Sequence, residues 1–300
     1  MRIAVIATSW PSTPGDPSGH FVRAEARELE REGHDVVVVT PQPDGAFGWP
    51  GVAARVRERP LRALGAAAWV AQARQRIRGL AAERVVAHWA VPSAWPIACA
   101  AKDARVEVVS HGGDVRLLAR MPRAARDLTA SVIARRAASW RFVSDALHRQ
   151  LVEKLGAQAR AHVERISVVR AASIEMPDIG ALRAAATALR DELGGRRAAV
   201  SVGRLVPGKR VDLAIEYLAR SRAADALIVV GDGPERPRLE RLARSLRVDA
   251  RFVGVVPREG ALAWIAAADV LVHASAAEGL STVLREASAL GTPVLRLDGA

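Results

Sequence analysis

The sequence has a single cysteine in 300 residues, Cys99. It therefore has neither a disulfide framework nor a thiolate-built zinc site, and it suits a reducing compartment. Aromatic residues are only 4% and are not interleaved with basic ones, which removes the stacking platforms of a nucleic-acid binder. No run of eighteen apolar residues occurs, and the apolar stretch Ile3 to Ala7 is too short for a signal peptide's core. A soluble, cytoplasmic chain is expected. There is no Asp-x-Asp pair and no Gly-x-Ser-x-Gly elbow, and the seven histidines are scattered. No metal site is expected, and nothing points to acyl transfer through an activated serine.

What the sequence does have is globular composition, half hydrophobic and a quarter charged. The length suits two domains of roughly 150 residues each. The net charge is +12. Residues 51–150 carry eighteen Arg or Lys against seven Asp or Glu, so +11 of the excess lies there. Charge runs usually mark solvated faces. The sharper alternative is a basic face that docks on anionic lipid, at the inner face of a membrane, or on an acidic acceptor.

Short apolar runs alternate with helical patterns. Arg2 to Ala7, Val36 to Thr40, Val85 to His88, Val106 to Ser110 and Arg141 to Val143 read as strands. Helices are expected from about Phe21 to Glu32, closed by Gly33, and from Arg123 to Ala138. The stretch 171–180 lacks any period and contains Pro177 and Gly180, so a linker is expected there. This gives an amino-terminal domain at 1–175 and a carboxyl-terminal domain at 176–300. Ala198 to Val202, Ala226 to Val230, Ala250 to Val253, Val270 to His273 and Pro293 to Leu297 are strand candidates of the second half. Val211, Ile215 and Leu218 line one helix face between the first two. Two Rossmann-type units in tandem are expected, with ligands at the carboxyl ends of their strands.

Four loops at those ends carry candidate chemistry. Gly203-Arg204-Leu205-Val206-Pro207-Gly208-Lys209-Arg210 nearly spells a P-loop, but Arg210 replaces the magnesium-binding Ser/Thr and Pro207 removes a backbone donor. It reads as an anion site or as a solvated turn. Gly231-Asp232-Gly233-Pro234 opens like a dinucleotide fingerprint, yet Arg236 occupies the third glycine position and a helix is expected from Pro234. Glu278-Gly279-Leu280-Ser281-Thr282 precedes a helix that Ser281 can cap, with the apolar stripe Val283, Leu284, Ala287 and Leu290. Glu286 is either a ligand-facing carboxylate at the edge of that stripe or a solvated helix residue. Ser110-His111-Gly112-Gly113-Asp114 puts a histidine before two glycines, available to a ligand or structural.

Taken together, the loops resemble the group 1 glycosyltransferases, family four of the GT-B fold. The resemblance rests on SVGRLVPGKRVDLAI, VVGDGPERPRLERLA and RFVGVVPREGALAWIAAADVLVHASAAEGLSTVLREASALGTPV, with Glu278 and Glu286 as the Glu-x7-Glu pair. SGHFVRAEARELEREGHDVVVVTP, AHWAVPSAWPIA and SHGGDV match the family's order in the first half. It implies an α/β architecture of two Rossmann-like parallel-sheet domains facing a cleft.

The implied activity is retaining transfer of a sugar from a nucleotide-sugar donor to an acceptor. The products would be polysaccharides, glycolipids or small glycosides, with neither metal nor cofactor required. A non-catalytic nucleotide-sugar binder is the alternative. By the resemblance, Arg204 and Lys209 of the Gly203 loop bind the donor diphosphate, Glu278 holds sugar hydroxyls and Glu286 the ribose. Amides of Gly279, Leu280 and Ser281 meet the distal phosphate, Val255 lies against the nucleobase, and Gly19 and His111 close over the donor. Trp89, Pro92, Trp95 and the basic stretch are candidates for the acceptor pocket, or equally for packing. Two departures stand out. The sequence stops at Asp298-Gly299-Ala300, where the family continues, so the second domain is expected to be incomplete; and Ala171-Ala172-Ser173 replaces the family's Asn-Gly-Val-Asp turn.

Overall fold

The computed structural model describes residues 1–11, 16, 18–43, 45–47, 52–172, 174, 176–275 and 281–297, with the backbone alone at 53 and 54. The chain divides into two compact units, one over Met1–Ser12 and Ser18–Ser173, the other built on Ile174–Ala300. Among the described residues, no helix is long and apolar enough to cross a membrane.

The first unit runs β1 (Arg2–Ile6), α1 (His20–Arg31), β2 (Asp35–Val39), α2 (Val52–Glu58), α3 (Arg62–Gly79), β3 (Arg84–His88) and β4 (Arg105–Ser110). It continues through α4 (Gly113–Arg120), α5 (Arg123–Arg136), β5 (Ala137–Phe142), α6 (Asp145–Val152), α7 (Ala157–Glu164) and β6 (Ser167–Val169). The strands form one parallel sheet in the order β2-β1-β3-β4-β5-β6. Helices cover both faces of such a sheet, which is why its central strands read as unbroken apolar runs rather than alternating ones. Ile3 through Ala7 are fully buried.

The boundary expected between α5 and β5 is wrong. The helix expected through Ala138 ends at Arg136, and Ala137 already pairs with Val106 in the ladder of β5 against β4. Alanine favours helix locally, but tertiary pairing overrides so weak a preference.

The second unit runs α8 (Ile179–Glu192), β7 (Ala198–Val202), α9 (Val211–Ser221), β8 (Ala226–Val230) and α10 (Arg236–Ser245). Then come β9 (Ala250–Gly254), α11 (Arg258–Ala267), β10 (Val270–His273), α12 (Thr282–Leu290) and β11 (Val294–Arg296). Its sheet is parallel in the order β11-β10-β7-β8-β9. The α9 stripe packs as its spacing predicts, with Val211, Ile215 and Leu218 buried among Leu227, Val229 and Leu239. Burying a side chain the size of Ile215 stabilises by about 1.5–3 kcal/mol. Val283, Leu284, Ala287 and Leu290 of α12 pack on the other face. α10 begins at Arg236 rather than Pro234, because residues 234 and 235 form a turn.

Strand order locates the crevices. From β7 the chain proceeds outward through β8 and β9, then returns to β10 on the opposite side of β7. Loops that leave β7 and β10 therefore part in opposite directions, and the gap between them is where doubly wound sheets take ligands. In the first sheet the same reversal falls between β1 and β3.

Candidate functional site

In the second unit, the loops after β7 and β8 meet backbone to backbone. Gly203 N–H donates to Val230 O at 2.9 Å, Leu205 N–H to Asp232 O at 2.9 Å and Glu235 N–H to Leu205 O at 3.0 Å. Gly231 has φ +129°, and a Cβ there would fall 2.0 Å from Gly203 O; a Cβ on Gly233 would fall 2.4 Å from Leu205 O. The glycine pair is thus explained by close approach of the neighbouring loop. Arg236, standing where a fingerprint would have its third glycine, bonds Asp232 at 2.9 Å and Glu240 at 2.8 Å and donates to Phe252 O at 3.2 Å. It fastens these loops to β9.

The Gly203 loop does not form a P-loop. Pro207–Lys209 make one 3₁₀ turn, and Arg210 then adopts a left-handed conformation (φ 47°, ψ 43°) and pairs with Asp212 at 3.2 Å. The Lys209 stem crosses Gly203, its Cε 3.6 Å from where a Cβ would sit. That brings the ammonium group to the carboxyl end of β7, beside the crevice. Across it, at the end of β10, stands His273, a residue not singled out from sequence. Burial, then the charges of Lys209 and Arg296, push its pKa down to about 4, so it is neutral near pH 7.

Glu286 is not a solvated helix residue. It is 5% exposed, and Arg258 at the start of α11 donates to its Oε1 through Nη2 at 2.8 Å and Nε at 3.2 Å. Arg258 went unremarked in the sequence because nothing in its spacing links it to a residue twenty-eight positions later. Ser281 occupies the N-cap position of α12 and is buried, but its hydroxyl makes no capping hydrogen bond. Val255 is exposed in the loop after β9, three residues before Arg258. Glu278, Gly279 and Leu280 lie outside the described residues.

In the first unit, Gly19 precedes α1 with φ +64°, and a Cβ there would lie 2.2 Å from Ser9 O. No other residue fits that turn. The loops after β3 and β4 are organised by Asp114, 3% exposed. Its carboxylate accepts from Ala90 N–H at 2.8 Å, Ser110 Oγ at 2.6 Å and Gly112 N–H at 3.1 Å. Trp140 Nε1 donates in turn to Ser110 Oγ at 2.9 Å. His111 is half-buried among Phe21, Trp89 and His88, with ring centroids 4.6, 5.1 and 5.2 Å away. Trp89 therefore belongs to this ring cluster, while Trp95 is exposed. Beneath lies a buried ion pair, Arg141 to Glu25 at 2.5 Å.

The comparisons with known proteins bear on both units. The family model Glycosyltransferase Family 4 matches residues 18–169, just over half of the chain, and Glycosyl transferases group 1 matches 196–299. The TuaC protein of Bacillus subtilis, named for teichuronic acid biosynthesis, is 26% identical over 99% of this chain and 81% of its own length. The alpha-D-kanosaminyltransferase of Streptomyces kanamyceticus is 27% identical over 98% of this chain and 76% of its own. Anabaena HepE, solved with UDP-glucose, superposes with a TM-score of 0.71 at 21% identity, over 99% of this chain and 80% of that one. The sucrose-phosphate synthase of Thermosynechococcus elongatus superposes at 0.70 and 20% identity, over 99% and 81%. The chain belongs to glycosyltransferase family 4, a sugar-transferring enzyme of the GT-B fold.

Proposed function

We propose that the enzyme takes a nucleotide-sugar donor and transfers the sugar to its acceptor with retention of anomeric configuration, without a metal or cofactor. The observation that carries the reading is the Lys209 stem laid over Gly203 at the switch-point crevice of the second sheet. Breaking a glycosyl–phosphate bond loads negative charge onto a diphosphate. Arg204 and Lys209 of the Gly203 loop stabilise that charge together with the amides of Gly279, Leu280 and Ser281. Each cation about 4 Å from a phosphate charge contributes roughly 4 kcal/mol at an effective dielectric near 20. Glu278 holds sugar hydroxyls, Glu286 the ribose, and the exposed Val255 loop the base. By the family resemblance, the Gly19 turn and His111 also act on the donor. Retention follows from same-face attack on a short-lived oxocarbenium-like centre, with the departing phosphate as the base.

UDP-glucose is bound in HepE, and one relative is named a GDP-mannose-dependent mannosyltransferase, so the donor panel must span bases. Incubation with labelled UDP-, GDP-, ADP- and TDP-sugars in the presence of chelator tests the reading. Transfer to an acceptor with the donor's anomeric configuration is expected, and inversion or strict metal dependence overturns it. Arg204→Ala should lose about 10²–10³ in rate, the value of one preorganised electrostatic donor; unimpaired turnover refutes its role. We also propose a cytoplasmic location, with peripheral contact at the inner face of a membrane. There the basic stretch 51–150 contacts anionic lipid, a reading supported by exposed Leu61 and Leu64 at the start of α3. Equal sedimentation with anionic and neutral vesicles would remove it.

A further inference from the structure

His88 Nδ1 and His111 Nε2 stand 2.9 Å apart. Their ring planes differ by only 14° and their centroids are 5.2 Å apart, the sum of that N···N separation and two ring radii. The rings therefore lie edge to edge in nearly one plane, joined by a lone-pair-directed hydrogen bond rather than stacked. Burial and the nearby Arg141 charge push His88 down to about 3, and burial with the His88 and Arg141 contributions holds His111 well below the usual histidine range. Both rings are neutral near pH 7, so one proton serves the bond and one nitrogen must own it.

The other end of His88 decides which. His88 is fully buried, and its Nε2 has no hydrogen-bond partner among the described residues. If His111 supplied the proton, His88 Nε2 would carry an N–H buried without an acceptor, and orphaned buried N–H groups are rarer than orphaned acceptors. If His88 supplies it, Nε2 is a bare lone pair. We propose that His88 is a positioning residue that locks His111 in the Nδ1–H tautomer, so that His111 offers a ligand oxygen a hydrogen-bond donor and has no free lone pair with which to act as a base. The ligand oxygen is a donor-sugar hydroxyl or a phosphate oxygen; this part rests on the proposed role of His111.

The test is ¹⁵N NMR of ring nitrogens in the full chain labelled at histidine, with His111 assigned through His111→Gln. Wild type is expected to carry the His111 proton on Nδ1. His88→Asn, whose amide N–H replaces Nδ1–H, should keep it there. His88→Leu should release His111 toward the Nε2–H form that free histidine favours, and lower turnover about tenfold, the order of one lost neutral hydrogen bond. Turnover in His88→Asn should stay within about threefold. Nε2–H in the wild type, or an unchanged tautomer in folded His88→Leu, overturns the proposal. A locked tautomer together with undiminished turnover in His111→Gln would sink the catalytic reading alone.

Discussion

Arg258→Leu isolates a contact on which the second unit and its proposed ribose site both depend. The side chains of Arg258 and Glu286 are 13% and 6% exposed and bond at 2.8 Å, so solvent screens them little. Removing one partner of such a pair leaves a charge buried and costs about 3–5 kcal/mol. We expect Arg258→Leu to destabilise the second unit by roughly 3 kcal/mol, the low end, because Leu recovers some burial. Glu286→Gln should cost about 1–3 kcal/mol. The double variant should cost at least about 1 kcal/mol less than the two single losses combined, because it strands no charge. Trp264 is the sole tryptophan after Trp140, is 4% exposed and lies on α11 with Arg258. Urea unfolding followed by the ¹⁹F signal of fluorotryptophan at this position therefore reports the second unit directly. Additivity within about 0.5 kcal/mol would refute the coupling. It would also leave Glu286 held for some reason other than its guanidinium partner.

Gly231→Ala must both hold φ +129° and move a Cβ away from Gly203 O. A loss above about 2 kcal/mol is expected. Gly33→Ala, with φ +83° and nothing within 4 Å, should cost only about 1 kcal/mol; equal losses in chemical denaturation would contradict the loop contact. Arg141→Met strands the Glu25 carboxylate, 9% exposed, and should destabilise the first unit by about 3–5 kcal/mol. A Glu25→Gln/Arg141→Met pair no more stable than Arg141→Met alone would refute this. Acidification supplies another check. His88 and His273 titrate near 3 and 4 in the folded chain, below the unfolded value, so the unfolded chain binds more protons as pH falls below about 6.5. Their contribution to stability is present above that pH and fades on acidification. The slope is about 1.4 kcal/mol per pH unit for His88 and less for the half-buried His273. Denaturant midpoints that stay level from pH 7 to pH 5 would contradict it.

Much of the architecture was written in local patterns. Buried parallel strands must be apolar on both faces, so Ile3 to Ala7 and Ala226 to Val230 announce themselves, and the helix period marks Val211, Ile215 and Leu218. Val36 to Val39 is as apolar and reads as a buried strand too. Yet it forms the sheet edge β2, where Val36, Val37 and Val38 are only half-buried because one side has no neighbouring strand. Even the βα rhythm that implies a parallel sheet is a one-dimensional signal. The family resemblance lay there too, because glycines and cations at strand ends are spaced along the chain.

Other features required the third dimension. Strand order is a matter of which edges pair, and only it locates the crevices between β7 and β10 and between β1 and β3. The reason Gly231 is glycine is a carbonyl on another loop. Glu286 gains its partner from α11, and Ala137 becomes strand because β4 offers it a ladder. His88 and His111 lie on separate strands' ends, and no spacing rule joins them. Each of these is a long-range contact whose partners the chain brings together only by folding. Periodicity and propensity report what a residue prefers among its near neighbours, whereas burial, tautomer and ion pairing depend on the groups that finally surround it.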